Sequence, residues 1–246
     1  MEPDYGRRYE ELYKKHWWWR AREAILCDEL RRMVTGSRPI SILDVGCGNG
    51  LFFERLREFG DVEGIEPAGE LVDPRSSNFV KITVAPFDAS FKPGKKYDLI
   101  LMLDVLEHLD AAEEALRHAL SLLALDGKIL VTVPSFCLLW TNHDRVNQHR
   151  TRYTKRSFAL TAKAAGMEVL AKRYFFTWLF FAKLAVRLKE SVVPMTPLIP
   201  RVPSPAINRF LYVFSLTEEK VIRNLHLPIG SSLLVVGRRA SANRSA

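Results

Sequence analysis

Short apolar segments alternate along most of the chain with longer segments in which apolar residues recur about every 3.6 positions, a periodicity typical of helices. The apolar segments predict strands at 40–45, 62–66, 80–84, 98–103, 128–133, 167–174 and 232–237. The periodic segments predict helices at 1–38, 50–59, 111–125, 154–166, 175–190 and 206–225. Strands separated by helices favour an α/β fold, in which a mostly parallel sheet is covered on both faces.

The composition excludes several classes of protein. The chain has 246 residues, of which 48% are hydrophobic and 26% charged, so it is neither disordered nor collagen-like. Its three cysteines, Cys27, Cys47 and Cys137, form no CxxC pair, which favours a reducing compartment and gives no zinc signature. The N-terminus lacks a signal peptide, and the most apolar run, 174–182, is about half the ~20 residues of a membrane span. We therefore expect a cytoplasmic protein without a transmembrane helix.

Positive charge is concentrated in one part of the chain. The net charge is +8, and the segment from Arg145 to Lys189 contains eleven Lys or Arg but one acid, Glu168. That segment therefore carries +10, which leaves −2 for the remainder. A basic excess indicates nucleic acid, an anionic membrane surface or an acidic substrate as a partner.

The strongest motif is ILDVGCGNG at 42–50, a buried strand that runs into a glycine loop. Glycines allow the backbone to approach a ligand, and the helix N–H groups that follow face it. The third glycine falls one position too early for a dinucleotide motif, and Leu51 follows it, which disfavours an NAD(P) oxidoreductase. Asp44 suits a ligand with an ammonium and a sulfonium group, and Glu66, about twenty residues on, would bind ribose hydroxyls.

With these residues the chain resembles the class I S-adenosylmethionine (SAM)-dependent methyltransferases of the type-11/12 subgroup, and in particular the ubiquinone-pathway O-methyltransferases. The resemblance covers residues 16–174 and the last strand, and it is carried by HWWWRARE, LDVGCGNG and YDLILMLDVLEHL. It implies a Rossmann-like, seven-stranded, mostly parallel sheet with helices on both faces. It also implies an N-terminal helical cap and a helical insertion before the last strand.

The predicted organisation has four parts. Residues 1–38 form the helical cap, and 39–174 with 231–238 form the SAM-binding core. Residues 175–230 form a hydrophobic and basic insertion, expected to be a lid, a dimer contact, an acceptor pocket or a membrane-facing element. Residues 239–246 are a polar tail that we expect to be disordered.

The resemblance also implies cofactor contacts. Asp44, Gly46 and Gly48 would hold the methionine end, Glu66 the ribose, and Asp88 would lie near the adenine amine. Further candidate contacts are Cys47, Pro67, Leu103, Trp18 and Arg22. Trp18 and Arg22 are spaced i, i+4, so they share a helix face. They would either close over the cofactor, with Arg22 pairing the methionine carboxylate, or pack the helix on the core.

Two groups of residues are candidates for the chemistry. Asp104, Glu107 and His108 follow the fourth strand at spacing i, i+3, i+4, and His143 and His149 lie in a polar loop. In ubiquinone-pathway O-methyltransferases and small-RNA 2′-O-methyltransferases a similar pattern with a later histidine binds metal, which implies Asp104, Glu107, His108 and His149 as ligands of Mg²⁺ or Zn²⁺. The alternatives are that His143, His149 or Asp104 acts directly on the acceptor, or that these residues are structural.

The resulting hypothesis is SAM-dependent methyl transfer to a small-molecule or lipid-linked acceptor, at oxygen. One alternative is an RNA methyltransferase that uses the basic segment, although the chain has no RRM, KH or OB motif. The other is a membrane-surface binding protein with a degenerate methyltransferase core. Peripheral contact with the inner membrane surface and a homodimer are the further expected partners.

Overall fold

The structure, a computed structural model, describes residues 3–36, 38–193, 200–225 and 227–241. Its seven strands are β1 (Ile40–Val45), β2 (Gly60–Glu66), β3 (Ile82–Val84), β4 (Tyr97–Leu103), β5 (Leu123–Pro134), β6 (Met167–Phe175) and β7 (Ser232–Arg239). Its α-helices are α1 (Pro3–Lys15), α2 (Trp17–Met33), α3 (Phe53–Leu56), α4 (Ala112–Leu122), α5 (Asn142–Val146), α6 (Lys155–Ala165), α7 (Thr177–Val192) and α8 (Pro205–Ile222). Among the described residues no helix has the length and apolar character needed to cross a membrane.

The strands form one sheet in the order β3-β2-β1-β4-β5-β7-β6. β1 runs parallel to β2 and β4, and the pairs β2–β3 and β4–β5 are also parallel. β6 and β7 are antiparallel, because Ser231 N donates to Phe176 O at one end of the pair and Ala240 N to Gly166 O at the other. The predicted fold class, a Rossmann-like and mostly parallel seven-stranded sheet, is confirmed.

The centre of the sheet provides the core. Leu43 of β1, Ile100 of β4 and Leu130 of β5 are completely buried. Burying an aliphatic side chain of this size contributes about 1.5–3 kcal/mol relative to leaving it exposed. The strands that carry the candidate cofactor residues are therefore held by the most buried part of the molecule.

The described chain forms two compact units. The first comprises the described residues within 1–35, 134–152 and 173–233, and the second comprises those within 36–133, 153–172 and 234–246. The predicted organisation placed 134–152 with the cofactor-binding core, whereas in the structure this segment belongs to the unit of the N-terminal helices and the insertion. Residues 194–199 of the insertion and 242–246 of the predicted tail lie outside the described residues.

The prediction of one continuous N-terminal helix is wrong, because the helix breaks at His16. His16 has an extended backbone (φ −78°, ψ 135°), and its Nδ1 accepts the Trp18 amide at 3.1 Å. Asn208 satisfies the backbone groups that the break leaves: its Oδ1 accepts Trp17 N, and its Nδ2 donates to Lys15 O, both at 2.8 Å. The apolar periodicity continues across the break, so the pattern of the sequence does not reveal it.

Two other predicted helices are shorter in the structure. The predicted helix 50–59 is reduced to Phe53–Leu56, with turns at 51–52 and 57–59, and β2 begins at Gly60, opposite Ile40 of β1. A Cβ on Gly60 would lie 1.9 Å from Ile40 O, so the strands approach too closely here for a side chain. The predicted helix 111–125 ends at Leu122, because β5 starts at Leu123.

The helix predicted between Thr154 and Gly166 is confirmed with both of its caps. The Thr154 hydroxyl accepts the amide of Ser157 at 3.1 Å, which satisfies one of the free N–H groups of the first turn. Gly166 adopts the left-handed conformation with φ 80°, which residues with a side chain rarely take. The end of α6 thus sets the start of β6, at Met167.

A network of ion pairs ties α8 and the turn after it to α2 within the first unit. Arg173 Nη2 lies 2.7 Å from Glu219 Oε1, and Arg223 Nη2 lies 2.6 Å from Glu29 Oε2. Each of these four side chains is largely buried. Buried charges are tolerated when they are paired, so the network fixes how α2 and α8 pack.

Candidate cofactor and active site

The glycine loop follows β1 in a conformation that needs glycine. Gly46 has φ 71°, and its amide donates to Ile65 O at 2.8 Å. A Cβ on Gly46 would lie 2.7 Å from Cγ2 of Val105. Gly48 also has positive φ, at 54°, but no described atom lies within 4 Å of the position that its Cβ would take. Gly46 therefore provides close packing, and Gly48 leaves room for a ligand to approach the backbone.

The carboxylate of Glu66, at the end of β2, bridges two loops. Its Oε2 accepts the Gly48 amide at 2.8 Å, and its Oε1 accepts the Ala68 amide at 2.9 Å. Burial raises the pKa of Glu66, and these two amide hydrogen bonds oppose the increase. Each carboxylate oxygen has a further acceptor site, so Glu66 can still accept hydrogen bonds from a ligand hydroxyl.

The loop carries a negative potential. Asp44, the fifth residue of β1, is buried like Glu66. Burial, followed by the charges of Asp44 and Glu66, raises the pKa of the Cys47 thiol well above its ordinary value. The negative charges of both carboxylates therefore lie close enough to influence Cys47, in the middle of the loop. Such a site favours a cationic ligand over a pyrophosphate.

The remaining predicted contacts of the second unit lie nearer the surface. Pro67 and Asp88 are exposed, and Leu103 is partly exposed at the end of β4. The Asp88 carboxylate accepts the amide of Ser90 at 2.8 Å and its hydroxyl at 2.6 Å, and these bonds lower the pKa of Asp88. The proximity of Asp88 to adenine stays a prediction.

Asp104 follows β4 directly in a left-handed conformation, with φ 58°. Its amide donates to Thr132 O at 2.9 Å, and its Oδ1 accepts the Thr132 hydroxyl at 3.0 Å. Asp is one of the few residues with a side chain that tolerate this conformation. Thr132 thus holds both the backbone and the carboxylate of Asp104. No sequence pattern marks Thr132 as this partner, because it is 28 positions away.

Glu107 and His108 lie in a 3-10 turn, Leu106–His108. The Glu107 side chain is completely buried. The Tyr153 hydroxyl donates to Leu106 O at 3.4 Å. Burial, with the charges of Glu107 and Glu113, raises the pKa of Tyr153 to about 12. Tyr153, which the sequence analysis did not single out, therefore stays protonated beside the Glu107 segment.

In the first unit, His149 belongs to a buried charge cluster. Its Nδ1 lies 2.8 Å from Asp144 Oδ1, and Asp144 also binds Arg152 through Nε at 2.8 Å and Nη2 at 3.0 Å. Asp144 further accepts the Thr141 amide at 2.8 Å. Because an acceptor faces Nδ1, the proton is on Nδ1 and the lone pair of neutral His149 is on Nε2. Arg152 was missed because nothing in its spacing marks it as the partner of Asp144.

His143 has a different environment from His149. Burial, followed by the charge of Lys183, lowers the pKa of His143 to about 3. Its Nε2 lies 3.1 Å from the side-chain nitrogen of Asn147. His143 is therefore a neutral, partly buried imidazole.

Trp18 and Arg22 share a helix face, as their spacing predicts. The guanidinium carbon of Arg22 lies 5.7 Å from the centroid of the Trp18 ring, within the range of a cation–π contact. Trp18 also stacks on Phe176, with ring centroids 6.1 Å apart. These contacts pack the helix within the first unit. The role of the pair toward the cofactor stays a prediction.

The predicted metal ligands come from both units. Asp104, Glu107 and His108 belong to the second unit, and His149 belongs to the first. Among the described residues of either unit alone, no three His, Cys, Asp or Glu side chains lie close enough together to bind one metal ion. Metal binding therefore stays a prediction.

Comparison with known proteins indicates the family of the chain. A family model described as a methyltransferase domain matches residues 18–172. Malonyl-[acyl-carrier protein] O-methyltransferase 1 of Ilyobacter polytropus is 34% identical over 116 residues, which are 42% of this chain and 42% of that protein. Ubiquinone biosynthesis O-methyltransferase of Azorhizobium caulinodans is 30% identical over 139 residues, which are 48% of this chain and 52% of that protein. The chain thus spans about half the length of these curated relatives.

Solved structures share the fold at low identity. A TehB-like SAM-dependent methyltransferase from Corynebacterium glutamicum has a TM-score of 0.55 and 18% identity, with 97% of this chain and 100% of that chain covered. A candidate sarcosine dimethylglycine methyltransferase from Galdieria sulphuraria has a TM-score of 0.56 and 16% identity, with 89% and 85% covered. Since the family model matches well over half of the chain and includes the glycine loop, the chain belongs to the methyltransferase-domain family.

Proposed function

We propose that the protein transfers a methyl group from SAM to a small-molecule or lipid-linked acceptor, at oxygen. The observation that carries the proposal is the glycine loop, which combines two buried carboxylates with an open backbone approach at Gly48. SAM carries a sulfonium and an ammonium, and buried carboxylates stabilise such charges. The O-methyltransferases among the similar proteins support oxygen as the acceptor atom.

The residues of the second unit have separate roles in this proposal. Asp44 and the backbone at Gly46 and Gly48 hold the methionine end, and Glu66 accepts the ribose hydroxyls. Cys47, Pro67 and Leu103 line the cofactor, and Asp88 receives the adenine amine. The charges that raise the Cys47 pKa and the two amide bonds that fix Glu66 support these roles.

SAM supplies an electrophilic methyl group on a good leaving group. The protein must therefore align the acceptor oxygen with the methyl carbon and provide a base for the hydroxyl proton. The carbon–sulfur electron pair stays on sulfur as the new carbon–oxygen bond forms, and the proton passes to the base. His149 suits this role chemically, because Asp144 fixes its proton on Nδ1 and leaves the lone pair on Nε2.

A divalent metal is the alternative way to activate the acceptor. In that version Asp104, Glu107, His108 and His149 supply carboxylate and imidazole donors, which Mg²⁺ or Zn²⁺ accepts. A bound metal would lower the pKa of the acceptor hydroxyl. The buried carboxylate of Glu107 and the fixed Asp104 suit this role by their chemistry.

Calorimetry with S-adenosylhomocysteine tests the proposal. We expect the unaltered protein to bind this product, and Asp44→Ala to weaken binding at least tenfold. Asp61→Ala, an exposed aspartate on β2, is the matched control and should leave the affinity unchanged. Circular dichroism establishes that the variants fold. Failure of the unaltered protein to bind, or equal affinity of both variants, contradicts the proposal.

The concentration of basic residues between Arg145 and Lys189 favours RNA as the second candidate acceptor. Phosphate contacts by Lys and Arg release counterions, so RNA binding would weaken steeply as salt increases. A gel shift with single-stranded RNA at two salt concentrations decides between the acceptors. A salt-sensitive shift favours RNA, and its absence leaves the small-molecule or lipid-linked acceptor. If S-adenosylhomocysteine does not bind at all, a degenerate core becomes the better account.

A further inference from the structure

The helices α7 and α8 each expose a stripe of large apolar side chains. On α7, Phe181, Leu188 and Val192 are 58%, 60% and 80% exposed. Their spacing of seven and four residues places them on one side of the helix. On α8 the exposed apolar side chains are Ile207, Phe210, Val213, Phe214 and Val221. We call these two stripes together the α7–α8 face.

The α7–α8 face is not needed to hold the first unit together, because other sides of the same helices do this. Phe180 is buried against Phe136, with ring centroids 5.4 Å apart. Trp178 donates through its indole nitrogen to the Ser215 hydroxyl at 3.2 Å. The helices are thus anchored to each other while their apolar stripes meet solvent.

The positive and negative side chains of these helices lie in different places. Among the described residues of α7 and α8, the exposed charged side chains are all cationic: Arg187, Lys189, Arg209 and Lys220. The acidic side chains are engaged inside the unit. Glu190 accepts the Asn142 amide at 2.9 Å, Glu218 accepts the Trp178 amide at 2.6 Å, and Glu219 is buried against Arg173.

Aromatic and aliphatic stripes flanked by cations are typical of helices that lie in the interface of an anionic membrane. A second copy of this chain fits the face less well, because two copies would bring the same cations together. We propose that the α7–α8 face docks on an anionic lipid surface, with the apolar stripes in the headgroup region and the cations at the phosphates. This docking does not depend on the methyl-transfer proposal, since it requires no cofactor.

Flotation with lipid vesicles tests the proposal on the full chain. The vesicles consist of phosphatidylcholine alone or of phosphatidylcholine mixed with an equal amount of phosphatidylglycerol. We expect at least tenfold tighter association with the anionic vesicles. The double variant Phe181→Ser/Phe210→Ser should lose at least tenfold of this association. Leu125→Ser, which removes another highly exposed leucine from the second unit, should retain it.

A second pair of variants separates the face from net charge. Arg187→Gln/Lys189→Gln removes two cations of the face, and Arg156→Gln/Lys163→Gln removes two exposed cations of α6. Both lower the net charge equally, but we expect the first alone to lose association several-fold. Equal losses, no association with anionic vesicles, or full association of Phe181→Ser/Phe210→Ser overturn the proposal. The proposal is also overturned if the unaltered protein binds no vesicles but forms a dimer, and Phe181→Ser/Phe210→Ser dissociates that dimer.

Discussion

The backbone amide of Gly48 donates a hydrogen bond to Oε2 of Glu66, at 2.8 Å. This bond joins the glycine loop after β1 to the end of β2, so the loop is held in place by a side chain from the neighbouring strand. The other oxygen of Glu66 accepts the Ala68 amide at 2.9 Å. One carboxylate thus fixes both loops on which the proposed cofactor site is built.

Replacing this carboxylate tests its role. Glu66→Gln keeps one acceptor oxygen but turns an amide donor toward Gly48 or Ala68, so one backbone N–H group loses its partner. Hydrogen bonds to charged groups contribute about 1.5–3 kcal/mol, and we expect a stability loss of this order with weaker S-adenosylhomocysteine binding. Urea unfolding and calorimetry measure the two effects. Glu54→Gln, at an exposed position on α3, should change neither the stability nor the affinity. If Glu66→Gln has the same stability and affinity as the unaltered protein, this role of Glu66 is contradicted.

Gly46 is predicted to tolerate alanine less well than Gly94 does. Both glycines have φ 71°, so both substitutions introduce the same left-handed strain, of about 1–2 kcal/mol. Only at Gly46 would the new Cβ meet another atom, Cγ2 of Val105 at 2.7 Å. We expect Gly46→Ala to lower the free energy of unfolding by about 1–3 kcal/mol more than Gly94→Ala. Equal losses in denaturant unfolding would mean that Val105 moves aside freely.

The sequence predicted the sheet and the loop because both depend on local patterns. The residues around Glu66 illustrate this: a buried strand that ends in an acid after a glycine loop is visible in any window of about thirty residues. The break at His16 was not predictable in the same way. It depends on Asn208, which is 191 residues from Trp17 and satisfies the groups that the break leaves. The roles of Thr132 and Arg152 were not predicted for the same reason, because they come from tertiary contacts.

Asn208→Ala is expected to destabilise the first unit. The substitution removes the acceptor for Trp17 N, which is partly buried, and a buried polar group left unsatisfied costs about 1–3 kcal/mol. It also removes the donor to Lys15 O, which is exposed and can bind water instead. Asn208→Asp keeps the acceptor, so it should lose less than Asn208→Ala. Thermal unfolding measures the order of the variants. Arg209→Ala, the exposed neighbour, should be close to the unaltered protein. A melting temperature of Asn208→Ala equal to that of Arg209→Ala would show that the bridge contributes little.

Asp144→Asn should be among the most destabilising single substitutions. Burial opposes the ionisation of Asp144, but hydrogen bonds from His149 and Arg152 outweigh it and lower the pKa of Asp144. Removing the charge leaves Arg152 buried without its partner, a loss of about 3–5 kcal/mol. Denaturant unfolding at neutral pH measures this loss. Asp126→Asn, on the surface, is the control.

The same carboxylate makes stability depend on pH. A lowered pKa in the folded state means that the contribution of Asp144 is fully present above the pKa of an unfolded aspartate, about 3.9. It is lost as pH falls from there toward the folded value. The difference in unfolding free energy between the unaltered protein and Asp144→Asn should therefore be constant near neutrality and shrink below about pH 4. A difference that grows toward acid pH would contradict this assignment.

Metal titration decides between the two versions of acceptor activation. If the ligand set holds a metal, the apoprotein binds one equivalent of Zn²⁺ or Mg²⁺, and His108→Ala and His149→Ala each weaken binding at least tenfold. His118→Ala is the control, because His118 lies outside the predicted set. Full methyl transfer in the presence of EDTA, or no metal uptake in calorimetry, leaves His149 as the base.

The position of β7 between β5 and β6 determines the order in which the sheet can be completed during synthesis. β6 leaves the ribosome before its neighbour exists, and residues 176–231 must follow before β7 appears. Until then β5 lacks its neighbour on one side and β6 is unpaired on both sides, and unpaired edges are templates for wrong pairing with other chains. The nascent protein must therefore protect these strand edges while both helices of the insertion are being made.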